Sequence, residues 1–178
     1  RLTTLGVVAS IDVWRVATMK PSEEQARPLL ALATSLFAEG ALPELSQGDF
    51  PDALTLAEHF GRGGEAVSQP ILRALQRVGA ATQHDRHTDR PLQSALVLLV
   101  DQLEELFAKG VSASDRAAFA EALKQLVATR RIWIVATLRA DLYELAIREP
   151  RLKSLKEAGA SFDLGLPGPA ELADIVRA

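Results

Sequence analysis

Four stretches of the chain are apolar enough to form strands, and helical periodicity fills the intervals between them. Residues 11–19 (IDVWRVATM) roughly alternate apolar with polar positions and carry Ile, Val and Trp, which predicts a strand. Residues 96–100 (LVLLV) are apolar without alternation, the pattern of a strand buried on both faces in a parallel sheet covered by helices. Residues 132–137 (IWIVAT) predict another short apolar strand, and residues 161–166 (SFDLGL) a weak final one.

Ser22 and Gln25 have capping-box spacing and predict a helix with Leu29, Ala33, Leu36 and Phe37 on one face, stopped by Gly40 as a left-handed cap and by Pro43. Residues 41–52 read as a loop, 52–60 as a short helix, and Gly61 to Gly64 as a break. A helix is predicted over 69–78, with Ile71, Leu72 and Leu75 as its apolar side, and then a polar surface loop over 82–90 (TQHDRHTDR). Residues 102–107 read as helical, closed by Gly110. Ser112 and Asp115 repeat the capping-box spacing before a helix to about Thr129, with Phe119, Leu123, Leu126 and Val127 inward. A helix to about Arg148 ends at Pro150, a short one follows over 151–158, and Pro169 opens a last helix. This alternation predicts an α/β fold with a mainly parallel sheet flanked by helices, a three-layer sandwich. Ligands of such sheets sit at the carboxyl ends of the strands, where Asp101 and Arg139 both fall.

Composition narrows the class. At 178 residues, 48% hydrophobic and 24% charged, the chain has the balance of one globular domain with a real core, which excludes disorder, collagen and a disulfide scaffold. The net charge of −3 supplies no basic field for nucleic acid. The absence of cysteine removes disulfides, thiolate metal sites and cysteine nucleophiles together. The longest apolar run, residues 95–100, is far shorter than the roughly 20 residues a membrane helix needs. No signal peptide is visible, so the expected location is cytoplasmic, without membrane contact. The chain opens at Arg1 without an initiator methionine, and we expect a piece of a longer protein.

Asp101 follows the buried aliphatics of residues 96–100. A carboxylate there is costly without a partner, and a hydrated Mg²⁺ at a strand end is a suitable one. The plainer alternative is an acid that caps the following helix. Glu104 lies three residues on, where a helical turn brings both carboxylates to one side, and a base there activates water if it lies within hydrogen-bond reach. Glu105 fits a solvated first turn better. Arg139 closes the next strand, and its guanidinium suits bidentate contact with a γ-phosphate. The alternative is an ion pair with Asp141 or Asp101 that an arriving phosphate replaces. His84, Asp85, His87 and Asp89 have metal-ligating types, but their spacing matches no zinc signature. No G-x-S-x-G elbow supports triad hydrolase chemistry, and Trp14 and Trp133 read as core.

LVLLVDQLEELF (96–107), DRAAFAEAL (115–123) and IVATLRADLYELA (134–146) together resemble the STAND class of P-loop NTPases, and more narrowly the novel STAND branch of bacterial multidomain signalling proteins. The shared pattern is a hydrophobic strand, D-Q-[FL]-E-E-L-F, and a strand ending T-x-R-x-D. DVWRVATMKP (12–21) resembles the family's second strand, and SFDLGLPGPAELADIV (161–176) its fifth strand and entry to a helical lid. The resemblance implies an NTPase core over 1–168 and the start of a lid over 169–178. It further implies binding of ATP or GTP with Mg²⁺, Asp101 as the Walker B acid and metal ligand, Glu104 as catalytic acid, and Arg139 as sensor arginine. Self-association, and effector and repeat domains on the same chain, are the partners it implies.

The sequence departs from the family at one point: G-x-x-x-x-G-K-[ST] is absent, and no Gly-Lys pair occurs. Gly61-Arg62-Gly63-Gly64 lacks the lysine and a preceding strand, so it reads as a turn. In the family the P-loop strand and helix precede a segment like residues 1–12, so this chain alone is expected to bind nucleotide poorly. Two other readings stand beside the switch. One is an interaction scaffold without catalysis; the other is an AAA+-type DNA-handling ATPase using a local patch of Arg151, Lys153 and Lys156.

Overall fold

The computed structural model describes residues 10–48 and 50–163. Strands β1 (Val13–Met19), β2 (Ser94–Val100) and β3 (Ile132–Ala136) pair in parallel in the order β1-β2-β3. The most aliphatic strand is thus the central one, with both edges occupied. Parallel neighbours need long crossovers. Here they are supplied by α1 (Glu23–Ala26), α2 (Pro28–Leu36), α3 (Ala53–Phe60) and α4 (Glu65–Asp85) between β1 and β2, and by α5 (Ala113–Ala128) between β2 and β3. After β3 come α6 (Tyr143–Ile147) and α7 (Pro150–Ala158). The α/β class, the parallel sheet and its flanking helices are those the alternation requires.

One sheet face carries Ala17, Met19, Leu96, Leu98, Val100 and Ile132, which join Leu32, Leu36, Ile71, Leu75, Phe119 and Leu123 of α2, α4 and α5 in a common core. The other face differs from the expectation for residues 96–100. Val97 and Leu99 are half-buried, while Val16, Trp133 and Val135 are 51%, 43% and 53% exposed. Among the described residues, the helices packed on the sheet lie on the first face. Trp133 is therefore a surface residue, edge-on against half-buried Trp14 at 6.2 Å between ring centres. Val127 likewise points outward from α5.

Several boundaries move for identifiable reasons. Ser112 caps α5 by accepting from Asp115 N–H at 3.0 Å, as its spacing predicts, and Asp52 caps α3 by accepting from Thr55 N–H at 2.8 Å. Ser22 makes no such cap; the helix begins at Pro28, whose fixed φ suits a first turn. Before it, Glu24, Gln25 and Ala26 hold φ of 55°, 60° and 59°, so α1 is a left-handed turn. Gly40 does not take the left-handed cap; Gly63 and Gly64 have the positive φ values, 70° and 59°, that launch α4. Residues 43–47 add a 3₁₀ turn inside the expected loop. The loop expected over 82–90 is helical as far as Asp85. Residues 161–163 are irregular, and the remainder of the expected fourth strand, the turn at 167–169 and the lid lie outside the described residues.

α4 continues through Gly79 because the backbone that leads into β2 crosses it there. A Cβ at Gly79 would lie 2.5 Å from the Leu92 carbonyl oxygen. Below this point Ser94, fully buried, donates its hydroxyl to the Leu75 carbonyl. Gly79→Ala is therefore expected to destabilise by about 1–3 kcal/mol through overpacking, although alanine favours a helix by about 1 kcal/mol. Urea denaturation measures this; an unchanged or raised midpoint would show that the crossing relaxes freely.

Candidate functional site

The sheet register brings three polar residues together. Met19, Val100 and Ala136 lie side by side, so the next residue of each strand, Lys20, Asp101 and Thr137, stands at one carboxyl edge. Asp101 N–H donates to Met19 O at 2.9 Å and Thr137 N–H to Val100 O at 3.0 Å, extending the ladder one step past the apolar strands.

Thr137 organises the corner. Its hydroxyl donates to Asp101 Oδ1 at 2.7 Å and accepts from Gln102 N–H at 2.8 Å, while its carbonyl accepts from Leu103 N–H at 2.9 Å. Gln102 occupies the left-handed region at φ 55°, which turns the chain sharply out of the strand into a 3₁₀ turn, Leu103–Phe107. Asp101 therefore does not act as a helix cap. Its second oxygen, Oδ2, faces Lys20 Nζ at 3.6 Å, and its side chain is 35% exposed. The Thr137 hydrogen bond, aided by the Lys20 charge, holds the Asp101 carboxyl below its ordinary range against a partial desolvation cost.

Glu104 reaches the same strap by another path. The backbone at Gln102 prevents a regular helical turn from Asp101, yet Glu104 Oε2 accepts from Arg139 N–H at 3.4 Å. Both acids thus converge on residues 137–139. Glu105, expected in a solvated turn, instead accepts from Ser22 N–H at 3.3 Å and from the Ser22 hydroxyl. This bond ties the 3₁₀ turn to the segment holding Lys20 and to the left-handed α1. Gln102, Glu24, Gln25 and Ala26 hold positive φ around this corner, while His87 and Arg130 do so elsewhere among the described residues.

Arg139 pairs with Asp141, donating from Nε to Oδ1 at 3.1 Å and from Nη2 to Oδ2 at 2.9 Å. Both side chains are more than 60% exposed, so the fork is cheaply exchanged for another anion. The pairing raises the Arg139 pKa and lowers that of Asp141.

Elsewhere, the stacked His84 and His87 rings lie 6.4 Å apart, and among the described residues no three His, Asp or Glu side chains converge as a metal cage. In the basic patch, Arg151 pairs with Glu121 and Glu149, and Lys153 with Glu157, while Lys156 sits over the Tyr143 ring. No helix among the described residues is long and apolar enough to cross a membrane. Sequence reasoning missed Lys20, Thr137 and the Ser22–Glu105 bond. A usable signal for the first two was present: each apolar strand stops on a polar residue, and parallel register aligns those stops.

Replacing Thr137 with Val removes the hydroxyl at nearly constant volume. The Asp101 titration, followed by carboxyl-carbon NMR, is then expected to rise toward the ordinary value of 3.8. Because the native carboxyl titrates low, its stabilising contribution is full above that ordinary value and fades as pH falls through the lowered one. Thr137→Val should flatten this acid-limb dependence. An unmoved Asp101 midpoint would show that the Thr137 hydroxyl does not control it.

No curated protein and no solved structure matches the chain. A family model, Novel STAND NTPase 1, matches residues 2–178. It covers the three strands, the corner they form and the helices around them. The chain belongs to the novel STAND NTPase 1 family.

Proposed function

We propose that the chain is the nucleotide-binding and hydrolysing core of a bacterial STAND-type signalling switch that uses ATP, or GTP, with Mg²⁺. The observation that carries this reading is the meeting of Asp101, Glu104 and Arg139 on one strap at the carboxyl edge of the parallel sheet. Family membership implies nucleotide and Mg²⁺ binding in general.

The residues at the corner suit a hard cation. Asp101 presents a partly exposed carboxylate at a strand end beside a hydroxyl, and its second oxygen attracts the Lys20 ammonium. Mg²⁺ needs only one or two carboxylates, with water and phosphate completing its shell, so a three-acid cage is not required. When bound, the ion neutralises phosphate charge. Asp101, held ionised by Thr137, would hold the metal. Glu104, tethered to the Arg139 amide, would orient a water and accept its proton. Arg139, in an exposed fork with Asp141, would suit a γ-phosphate, which offers the same bidentate geometry. The switch is proposed to work in the cytoplasm, through self-association and through effector and repeat domains on the same chain.

Calorimetry with Mg-ATP and Mg-GTP tests this, comparing the 178-residue chain with one extended upstream by about 40 residues to include a strand, P-loop and helix. The extended chain is expected to bind and the shorter one to bind poorly. In the extended chain, Asp101→Ala should weaken Mg²⁺-dependent binding, and Glu104→Gln should lower turnover by about 10²–10⁴-fold. Hydrolysis unchanged in both variants would sink the assignment; binding by neither chain would favour a nucleotide-free scaffold.

A further inference from the structure

Asp101 has no carboxylate oxygen without a partner. Oδ1 accepts the Thr137 hydroxyl, and Oδ2 faces the Lys20 ammonium at 3.6 Å. The two partners are not equivalent. Thr137 is locked by its own backbone: its N–H, carbonyl and hydroxyl oxygen all hold neighbouring strand-end groups. Lys20 is 40% exposed on a flexible four-carbon stem. A divalent cation that takes Oδ2 directly meets the Lys20 ammonium at the same oxygen, where like charges repel, and an exposed pair of this kind yields readily.

We propose that Lys20 is a resident cation on Asp101, a placeholder that a divalent metal must expel before the site loads. This rests on the reading of Asp101 as metal ligand and adds to it a built-in competitor. With the ammonium in place, the carboxylate is stabilised without metal, and the site does not carry an uncompensated charge. The cost is a higher metal requirement, because binding breaks one ion pair to make another. The position of Lys20 is itself defined. The β1–β2 register places it beside Asp101, and the Ser22–Glu105 bond two residues on anchors its segment to the turn that follows Asp101. Lys20 is thus a positioning and competing residue, one that acts on the metal by occupying its ligand.

The test uses Mg²⁺ alone, with the full chain and no nucleotide. Amide NMR of Asp101, Gln102 and Thr137 during Mg²⁺ titration reports the half-saturating concentration. Lys20→Met is expected to lower it about two- to fivefold, the range corresponding to an exposed ion pair. Lys20→Arg, which keeps the charge, should stay near the wild-type value, and Asp101→Asn should abolish the response. Unchanged amide shifts away from the corner confirm that each variant folds. If Lys20→Met leaves the midpoint where it was, or raises it, while Asp101→Asn still abolishes binding, the placeholder is overturned and the metal reading stands. A response that survives in Asp101→Asn, or no response at these amides in any variant, overturns both.

Discussion

The site depends on one residue at the end of a short strand. Thr137 uses its N–H, its carbonyl and its hydroxyl to fasten Val100, Asp101, Gln102 and Leu103, so that a single side chain with its peptide groups shapes the exit from the central strand. A neutral hydroxyl suits this position because it donates and accepts at once. It stabilises the Asp101 carboxylate on one side and satisfies the amide of the strained Gln102 on the other. An isosteric apolar side chain would fill the same volume and remove both hydrogen bonds, leaving Asp101 to Lys20 and the Gln102 amide to solvent.

The corner combines bonds of very different permanence. The backbone ladder past Met19, Val100 and Ala136 is part of the sheet and moves only with it. The Lys20 and Arg139 ion pairs are exposed and weak, so each is exchangeable at little cost. A rigid frame thus carries replaceable cations: geometry from the backbone ladder, adaptability from solvated side chains.

Much of this was legible in residue order. Apolar runs located the three described strands, the unalternating run of residues 96–100 pointed to a parallel sheet, and Ser112 capped the helix its spacing indicated. The resemblance over residues 96–107 and 134–146 led to the family, and the strap at residues 137–139 holds Asp101 through the Thr137 hydroxyl and Glu104 through the Arg139 amide. What escaped was set by contacts distant in sequence. Ser22 looks like a cap until Glu105, 83 residues away, claims its hydroxyl. Glu104 joins Asp101 through the strap after β3 instead of through helical spacing, because Gln102 is left-handed. Trp133 looks like core because periodicity reports that a face is apolar and not whether anything lies on it.

The lengths of the two crossovers carry a consequence for how the corner comes together. Residues 101–131 join β2 to β3, whereas residues 20–93 join β1 to β2. By chain entropy alone, closing the longer connection costs about 0.8 kcal/mol more, and non-local pairings form slowly. The β2–α5–β3 unit therefore holds the advantage in early folding, with Asp101, Thr137, Glu104 and Arg139 all within it or at its margin. β1 arrives over the longer loop and brings Lys20. The two cations of the corner thus rest on different closures: Arg139 comes with the shorter β2–β3 connection that carries the acids, whereas Lys20 reaches Asp101 only through the longer one.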